Sequence, residues 1–150
     1  MIKEKKEFKV SVIIPTYNRV KYLSRAINSV LKQSLPVNEI IVVDNGSTDQ
    51  TLSFIKQKFS SIKVINEKKR GVSFARNAGI KNCKNEWIAF LDSDDEWMKK
   101  EVTRLNRFDG EIDTLLNRIA NIRTWTYITN KNYWINDNEF WQSETKSIED

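Results

Sequence analysis

Hydrophobic positions along the 150-residue chain alternate between two rhythms. Lys9–Pro15 (KVSVIIP) is a short β-branched run that stops at proline, the pattern of a buried strand. From Val20 to Leu31, apolar residues recur at Leu23, Ala26, Ile27, Val30 and Leu31, which is helical spacing. Ser34–Pro36 closes that helix. Glu39–Val43 (EIIVV) predicts a second buried strand, ending on Asp44-Asn45-Gly46-Ser47. Thr48 or Asp49 is placed to cap a second helix that carries Leu52, Ile55 and Phe59 on one face. Ile62–Ile65 predicts a third strand. Gly71 opens a loop, Ser73–Cys83 predicts a third helix, and Trp87–Leu91 (WIAFL) a fourth strand that ends on Asp92-Ser93-Asp94-Asp95.

Strand and helix in turn argue an α/β fold with a mainly parallel sheet flanked by helices. Continuous apolar strands, covered on both faces, agree with that. In open sheets of this kind, ligands bind beyond the carboxyl ends of the strands. Three polar clusters fall there: Thr16-Tyr17-Asn18, Asp44-Asn45-Gly46-Ser47 and Asp92-Ser93-Asp94-Asp95.

Charge divides the chain. Residues 1–100 hold 19 Lys and Arg against 11 Asp and Glu, a net of +8; residues 101–150 hold 6 against 9, a net of −3. Three of the five Trp but only one of the four Gly lie in that last third. A boundary near Lys99–Glu101 is expected, giving units 1–100 and 101–150, although uneven charge within one domain reads the same way. The single Cys83 excludes an internal disulfide framework, and the absence of His excludes a His-dependent triad and disfavours zinc. Transfer or hydrolysis would have to use carboxylates, Lys, hydroxyls or an oxygen-bound metal. No run approaches the roughly 20 apolar residues of a membrane span, and the Lys-bearing start has no apolar signal core. A cytoplasmic setting is expected. Lys3, Lys5 and Lys6 offer peripheral attachment at the inner membrane face, diluted by Glu4 and Glu7.

The acidic cluster is the sharpest chemical signal. Three aspartates within four residues repel one another unless a cation joins them. Mg²⁺ or Mn²⁺ suits such a set, because each takes oxygen ligands and Mg²⁺ shares its shell with water and phosphates. The same residues also suit an acidic turn that caps the next helix. Asp44 and Asn45 suit either the polar edge of a base or ribose, or an Asx-type turn with Gly46 at φ > 0. Arg70, Arg76 and Lys81 suit a diphosphate or a solvated helix face. Tyr17 suits stacking on a base or simple packing.

VSVIIPTYNR, EIIVVDNGSTDQT, GVSFARNAGI and WIAFLDSDDEW follow one another in this order and at these spacings. Together they resemble the nucleotide-binding half of the family-2 glycosyltransferases, which have the GT-A fold, over about residues 8–98. The resemblance implies transfer of a sugar from a nucleotide-diphosphate-sugar donor to a glycan or lipid-linked acceptor, as in polysaccharide biosynthesis, aided by Mg²⁺ or Mn²⁺. It implies that Pro15, Thr16 and Tyr17 line the nucleotide pocket. Asp44 and Asn45 would face the base, with Asn45 where many members have a second Asp. Arg76 would approach the donor, and Asp92-Ser93-Asp94 matches the DXD motif. Asp92 would then engage the donor, with Asp94 and Asp95 at the metal and Asp94 the first choice of ligand. No counterpart is found of the later acidic base motif or of QxxRW. Glu111, Asp113, Glu139 and Glu144 are available, but none is assigned as base.

The tail has its own pattern. Met98, Val102, Leu105, Ile112, Leu115, Leu116, Ile119 and Ile122 keep helical spacing, so a helical C-terminal appendage is expected, with a break at Gly110 if it is two helices. Trp125, Tyr127, Trp134, Phe140 and Trp141 follow as an aromatic stretch. Residues 107–150 also resemble, faintly, a piece near the C-terminal end of certain bacterial superfamily-2 helicases, though no helicase motor motif is present. Trp-rich surfaces can stack single-stranded nucleic acid, but the negative charge argues against that partner. Two further readings stay open: a truncated or fused donor-binding module without turnover, and an interaction protein that docks a partner through the C-terminal helix.

Overall fold

The computed structural model describes residues 9–106 and 128–130. The elements are β1 (Val10–Thr16), α1 (Val20–Leu31), β2 (Glu39–Asp44), α2 (Thr51–Lys58), β3 (Lys63–Asn66), α3 (Val72–Asn82), β4 (Trp87–Phe90), α4 (Glu101–Asn106) and β5 (Ile128–Asn130). The first seven coincide with the expected elements to within one or two residues. The sheet order is β3-β2-β1-β4-β5. β1 pairs in parallel with both β2 and β4, and β2 with β3, while β5 runs antiparallel to β4. β1 is buried at every position, as a central strand covered on both faces must be.

Alternation along the strands feeds two cores. Val10, Val12, Ile14, Val42 and Ala89 face α1 and α2, meeting Leu23, Ile27, Val30 and Ile55. Ile13, Ile41, Val43, Ile88 and Phe90 face the other way and meet Ala75, Ala78 and Ile80 of α3. Full burial of each large aliphatic or aromatic side chain contributes about 1.5–3 kcal/mol. Gly79 lets α3 lie close to β1, since a Cβ there would stand 2.4 Å from Ile13 Cγ2. α2 begins at Thr51 with Gln50 as its formal cap, but the Asp49 carboxylate accepts the Thr51 N–H at 2.9 Å, the task expected of Thr48 or Asp49.

The chain after β4 is strapped to α1. Gln33, buried, donates from Nε2 to the Met98 carbonyl (2.7 Å) and accepts from Val102 N–H at Oε1 (3.1 Å). Trp97 N–H donates to Ser29 Oγ (3.0 Å), and Ser34 N–H to the Lys99 carbonyl (2.9 Å). Trp97 and Val102 join the α1-side core.

The tail departs from expectation in two ways. Met98 precedes α4 and is 80% exposed, because the strap turns Trp97 inward in its place. The tail also supplies a strand, β5, whose backbone extends the sheet past β4. Residues 107–127 and 131–150 lie outside the described residues, and with them most of the expected helix, the aromatic stretch and Glu111, Asp113, Glu139 and Glu144. Among the described residues, no helix is long and apolar enough to cross a membrane.

Candidate functional site

The strand order reverses between β1 and β4, because the chain steps outward from β1 to β2 and β3 and then returns to the other side of β1. A crevice opens at such a switch point, beyond the carboxyl ends of the strands. A cavity of about 460 Å³ lies there, lined by Pro15, Thr16, Tyr17, Arg19, Asn45, Arg70, Gly71, Val72, Ala75, Arg76, Asp92, Ser93 and Asp94. The expected residues Pro15, Thr16, Tyr17, Asn45, Arg76, Asp92 and Asp94 are thus brought together from the carboxyl ends of β1, β2 and β4 and the first half of α3. A wider groove of about 910 Å³ runs along α1, between Lys21, Arg25, Lys32 and Glu96. It lies on a helix flank rather than at the strand ends, and none of the expected site residues lines it.

Loop geometry at the site is set by short-range chemistry. Gly46 adopts φ +77°, and Asp44 Oδ2 accepts the Ser47 N–H at 3.2 Å, so the expected Asx-type turn is present. Asn18, at φ +50°, joins the two neighbouring loops. Its Oδ1 accepts from Thr48 N–H (2.7 Å) and Asp49 N–H (3.2 Å), while its own N–H donates to Ser47 Oγ (2.9 Å).

Two buried oxygens are left over. Among the described residues, Thr16 Oγ1 and Asp44 Oδ1 have no hydrogen-bond partner. Asp44 is 1% exposed and does not line the cavity; it pairs in register with Thr16, which does. A buried acceptor without a donor costs free energy, about 1–3 kcal/mol for a neutral group and more for a charged one. Such a defect in a well-packed fold points to a missing donor.

Asn45 lines the cavity in a way the sequence did not suggest. Its Nδ2 donates to the carbonyls of Glu67 (3.1 Å) and Lys69 (2.7 Å), and its Oδ1 accepts from Gly71 N–H (2.8 Å). The amide that was expected to face a base is engaged with the β3–α3 loop. Tyr17 is also engaged: Arg70 donates to its hydroxyl (2.8 Å), with the guanidinium carbon 4.5 Å from the ring centroid. Lys81 stands in the last turn of α3, at the opposite end of the helix from the cavity, and does not line it.

The acidic turn is closed by Asp95 N–H donating to the Asp92 carbonyl at 3.1 Å. α4 begins only at Glu101, so these aspartates do not cap it. Asp92 Oδ1 accepts from Arg76 at 3.2 Å. Asp94, about half exposed, lies 3.9 Å from Arg19. Burial first, then the charges of Asp94 and Asp92, raise the Asp95 carboxyl above its ordinary pKa. Arg19 was not singled out from the sequence; its place directly after the Thr16-Tyr17-Asn18 cluster was the available signal.

Among the described residues, no three carboxylate, Cys or His groups converge as a self-sufficient metal cage. The donor set is instead all oxygen and partly exposed. It fits a hard divalent cation that takes one or two carboxylates and completes its shell with water and phosphate.

The Glycosyl transferase family 2 model matches residues 11–145. The chain belongs to this family. The match runs through the tail, including most of the segment compared above with helicases. Family-2 relatives include an uncharacterized glycosyltransferase of Rickettsia conorii, 47% identical over 96 residues, which is 63% of this chain and 16% of that protein. TarS of Staphylococcus aureus, a poly(ribitol-phosphate) β-N-acetylglucosaminyltransferase, is 36% identical over 102 residues, covering 64% of this chain and 18% of that one. The structure of TarS 1-349 in complex with UDP-GlcNAc superposes with a TM-score of 0.63 at 37% identity, over 71% of this chain and 32% of TarS 1-349. The mannosyltransferase PcManGT of Pyrobaculum calidifontis, in complex with GDP-Man and Mn²⁺, gives a TM-score of 0.58 at 26% identity, over 63% and 30% of the two chains. The fold is therefore GT-A. This family-2 chain spans well under half the length of these relatives.

Proposed function

We propose that the switch-point cavity binds a nucleotide-diphosphate sugar and that the chain serves its transfer to a glycan or lipid-linked acceptor. The orphaned Asp44 Oδ1 carries this reading. A carboxylate oxygen beside the cavity-lining Thr16, without a donor of its own among the described residues, suits the N–H edge of a base. Thr16 Oγ1 is a second polar atom in want of a partner, and Pro15 and Tyr17 supply the flat wall beside it. Arg76 holds Asp92 at the position suited to the ribose or diphosphate. Relatives solved in complex with UDP-GlcNAc and with GDP-Man support the class of ligand without fixing the base.

Asp94, with Asp95 beside it, would hold Mg²⁺ or Mn²⁺. Such an ion, when bound, stabilises charge on the departing diphosphate. In the transfer, an acceptor oxygen forms a bond to the anomeric carbon while the carbon–oxygen bond to the diphosphate breaks. The electron pair leaves with the nucleoside diphosphate, and the acceptor proton passes to a base. No described residue is assigned as that base. The division near residue 100 is kept as a functional one only, with the donor-side residues before it, although β5 joins the same sheet.

Calorimetric titration with UDP, GDP and dTDP, with and without Mn²⁺, tests the reading. Metal-dependent binding by the wild-type chain and its loss in Asp94→Ala are expected. No binding by a folded chain overturns it. Binding without sugar release to any glycan acceptor selects the donor-binding module over the transferase.

A further inference from the structure

The Asn45 side chain is fully committed, yet to backbone rather than to any ligand-facing group. An amide has two N–H donors and one carbonyl oxygen. Both donors go to carbonyls, of Glu67 and Lys69, and the oxygen receives the Gly71 N–H. Only one orientation of the amide satisfies all three, so its assignment is unambiguous. Asn45 is buried and stands directly after β2, while the loop it grips is exposed at Lys68, Lys69, Arg70 and Gly71. Gly71 sits at φ +130°, a conformation open to glycine, so the loop turns sharply at the point Asn45 holds. One residue earlier, Arg70 reaches across the cavity to Tyr17, 53 positions away in sequence.

We propose that Asn45 is a positioning residue: it fixes the Glu67–Gly71 loop so that the Arg70–Tyr17 bridge closes one side of the donor cavity, and it governs nucleotide affinity through that bridge. This rests on the cavity being the donor site. In this chain the grip uses both N–H donors of the amide. Aspartate could still accept the Gly71 N–H but would set a carboxylate against two carbonyl oxygens, turning two attractions into repulsions.

The test uses the whole chain and two readouts. Hydrogen exchange of the Gly71 amide, without ligand, reads the anchor directly. Asn45→Ala, which removes the Oδ1 that accepts this N–H, should exchange about tenfold faster, the effect of losing one hydrogen bond. UDP, GDP and dTDP with Mn²⁺ read the consequence. Asn45→Asp and Arg70→Ala should each weaken binding of whichever nucleotide the wild type takes by about tenfold, and the double variant should be no weaker than the weaker single. Tyr17→Phe, which removes only the bridging hydroxyl, should weaken binding in the wild type but not in Arg70→Ala. That surface pair keeps the proposal open to refutation if Asn45→Asp does not fold. Unchanged Gly71 exchange in Asn45→Ala overturns the proposal. So do losses that multiply in the double variant, since they mean independent contacts. Wild-type chain that binds no nucleotide overturns the donor reading, and the affinity claim with it, while the exchange result still judges the anchor separately.

Discussion

The two ends of the parallel sheet carry similar residues and treat them oppositely. At the amino ends of the strands, Ser11 Oγ donates to Glu39 Oε2 (2.7 Å), which also accepts the Lys84 N–H (2.9 Å). Asn85 donates from both its backbone N–H (3.3 Å) and Nδ2 (3.0 Å) to Ser11 Oγ. Asn38 Oδ1 accepts the Val10 N–H at 2.9 Å. That end is a closed network, in which Glu39 and its neighbours satisfy one another. At the carboxyl ends, Thr16 Oγ1 and Asp44 Oδ1 are buried without partners among the described residues, and Asp94 stands half in solvent. The two ends thus differ in whether their polar groups find partners within the fold, which inventories of polar residue types cannot show.

Three variants would break or sharpen this contrast. The largest effect is expected at the open end: Asp44→Asn keeps an acceptor for Ser47 N–H but replaces the orphan oxygen with a donor. Nucleotide affinity should fall by roughly ten- to a hundredfold, the weight of one or two hydrogen bonds to a charged group, with thermal stability little changed. A variant that melts early but binds normally would assign Asp44 to structure. Next comes the closed end. Glu39→Ala strands Ser11 Oγ and the Lys84 N–H, and should lower unfolding free energy by about 1–3 kcal/mol in urea titration, with nucleotide binding unmoved. Altered binding there would mean the ends are coupled through β2.

The smallest effect is electrostatic. The side-chain hydrogen bond from Thr51, followed by backbone N–H groups, holds the Asp49 pKa below its ordinary 3.8 despite the opposing effect of burial. Its folded pKa is depressed, so the stability it lends is present above the unfolded pKa and is lost as pH falls through the folded value. Asp49→Asn should therefore flatten the acid limb of the stability profile below about pH 4. An acid limb identical to that of the wild type would remove Asp49 from the account.

Most of the fold was legible because β-branched runs such as EIIVV and the spacing of Leu23, Ala26, Ile27 and Val30 are local signals. The switch-point position of three polar clusters followed from the alternation alone. What escaped depends on contacts distant in sequence. Gln33 reads as a surface residue after a helix, and only the returning chain at Met98 and Val102 makes it a buried clasp. Asn45 reads as half of an Asx turn until the loop 22 to 26 residues later arrives to use its amide. Met98 keeps helical spacing with Val102, but the strap stops that period before it starts. β5 is three residues long and pairs with a strand about forty residues earlier, leaving little local pattern to find.

The Gln33 strap has a further meaning for the acidic turn. Leu91 is bonded to β1 through its N–H, which donates to the Ile13 carbonyl at 3.1 Å, and Trp97 to α1 through Ser29. Asp92 to Glu96 therefore form a short bridge whose backbone is pinned at both piers. Most of the entropy of ordering those carboxylates has been surrendered during folding, so an incoming cation or phosphate would meet them nearly in place and keep more of its own binding free energy.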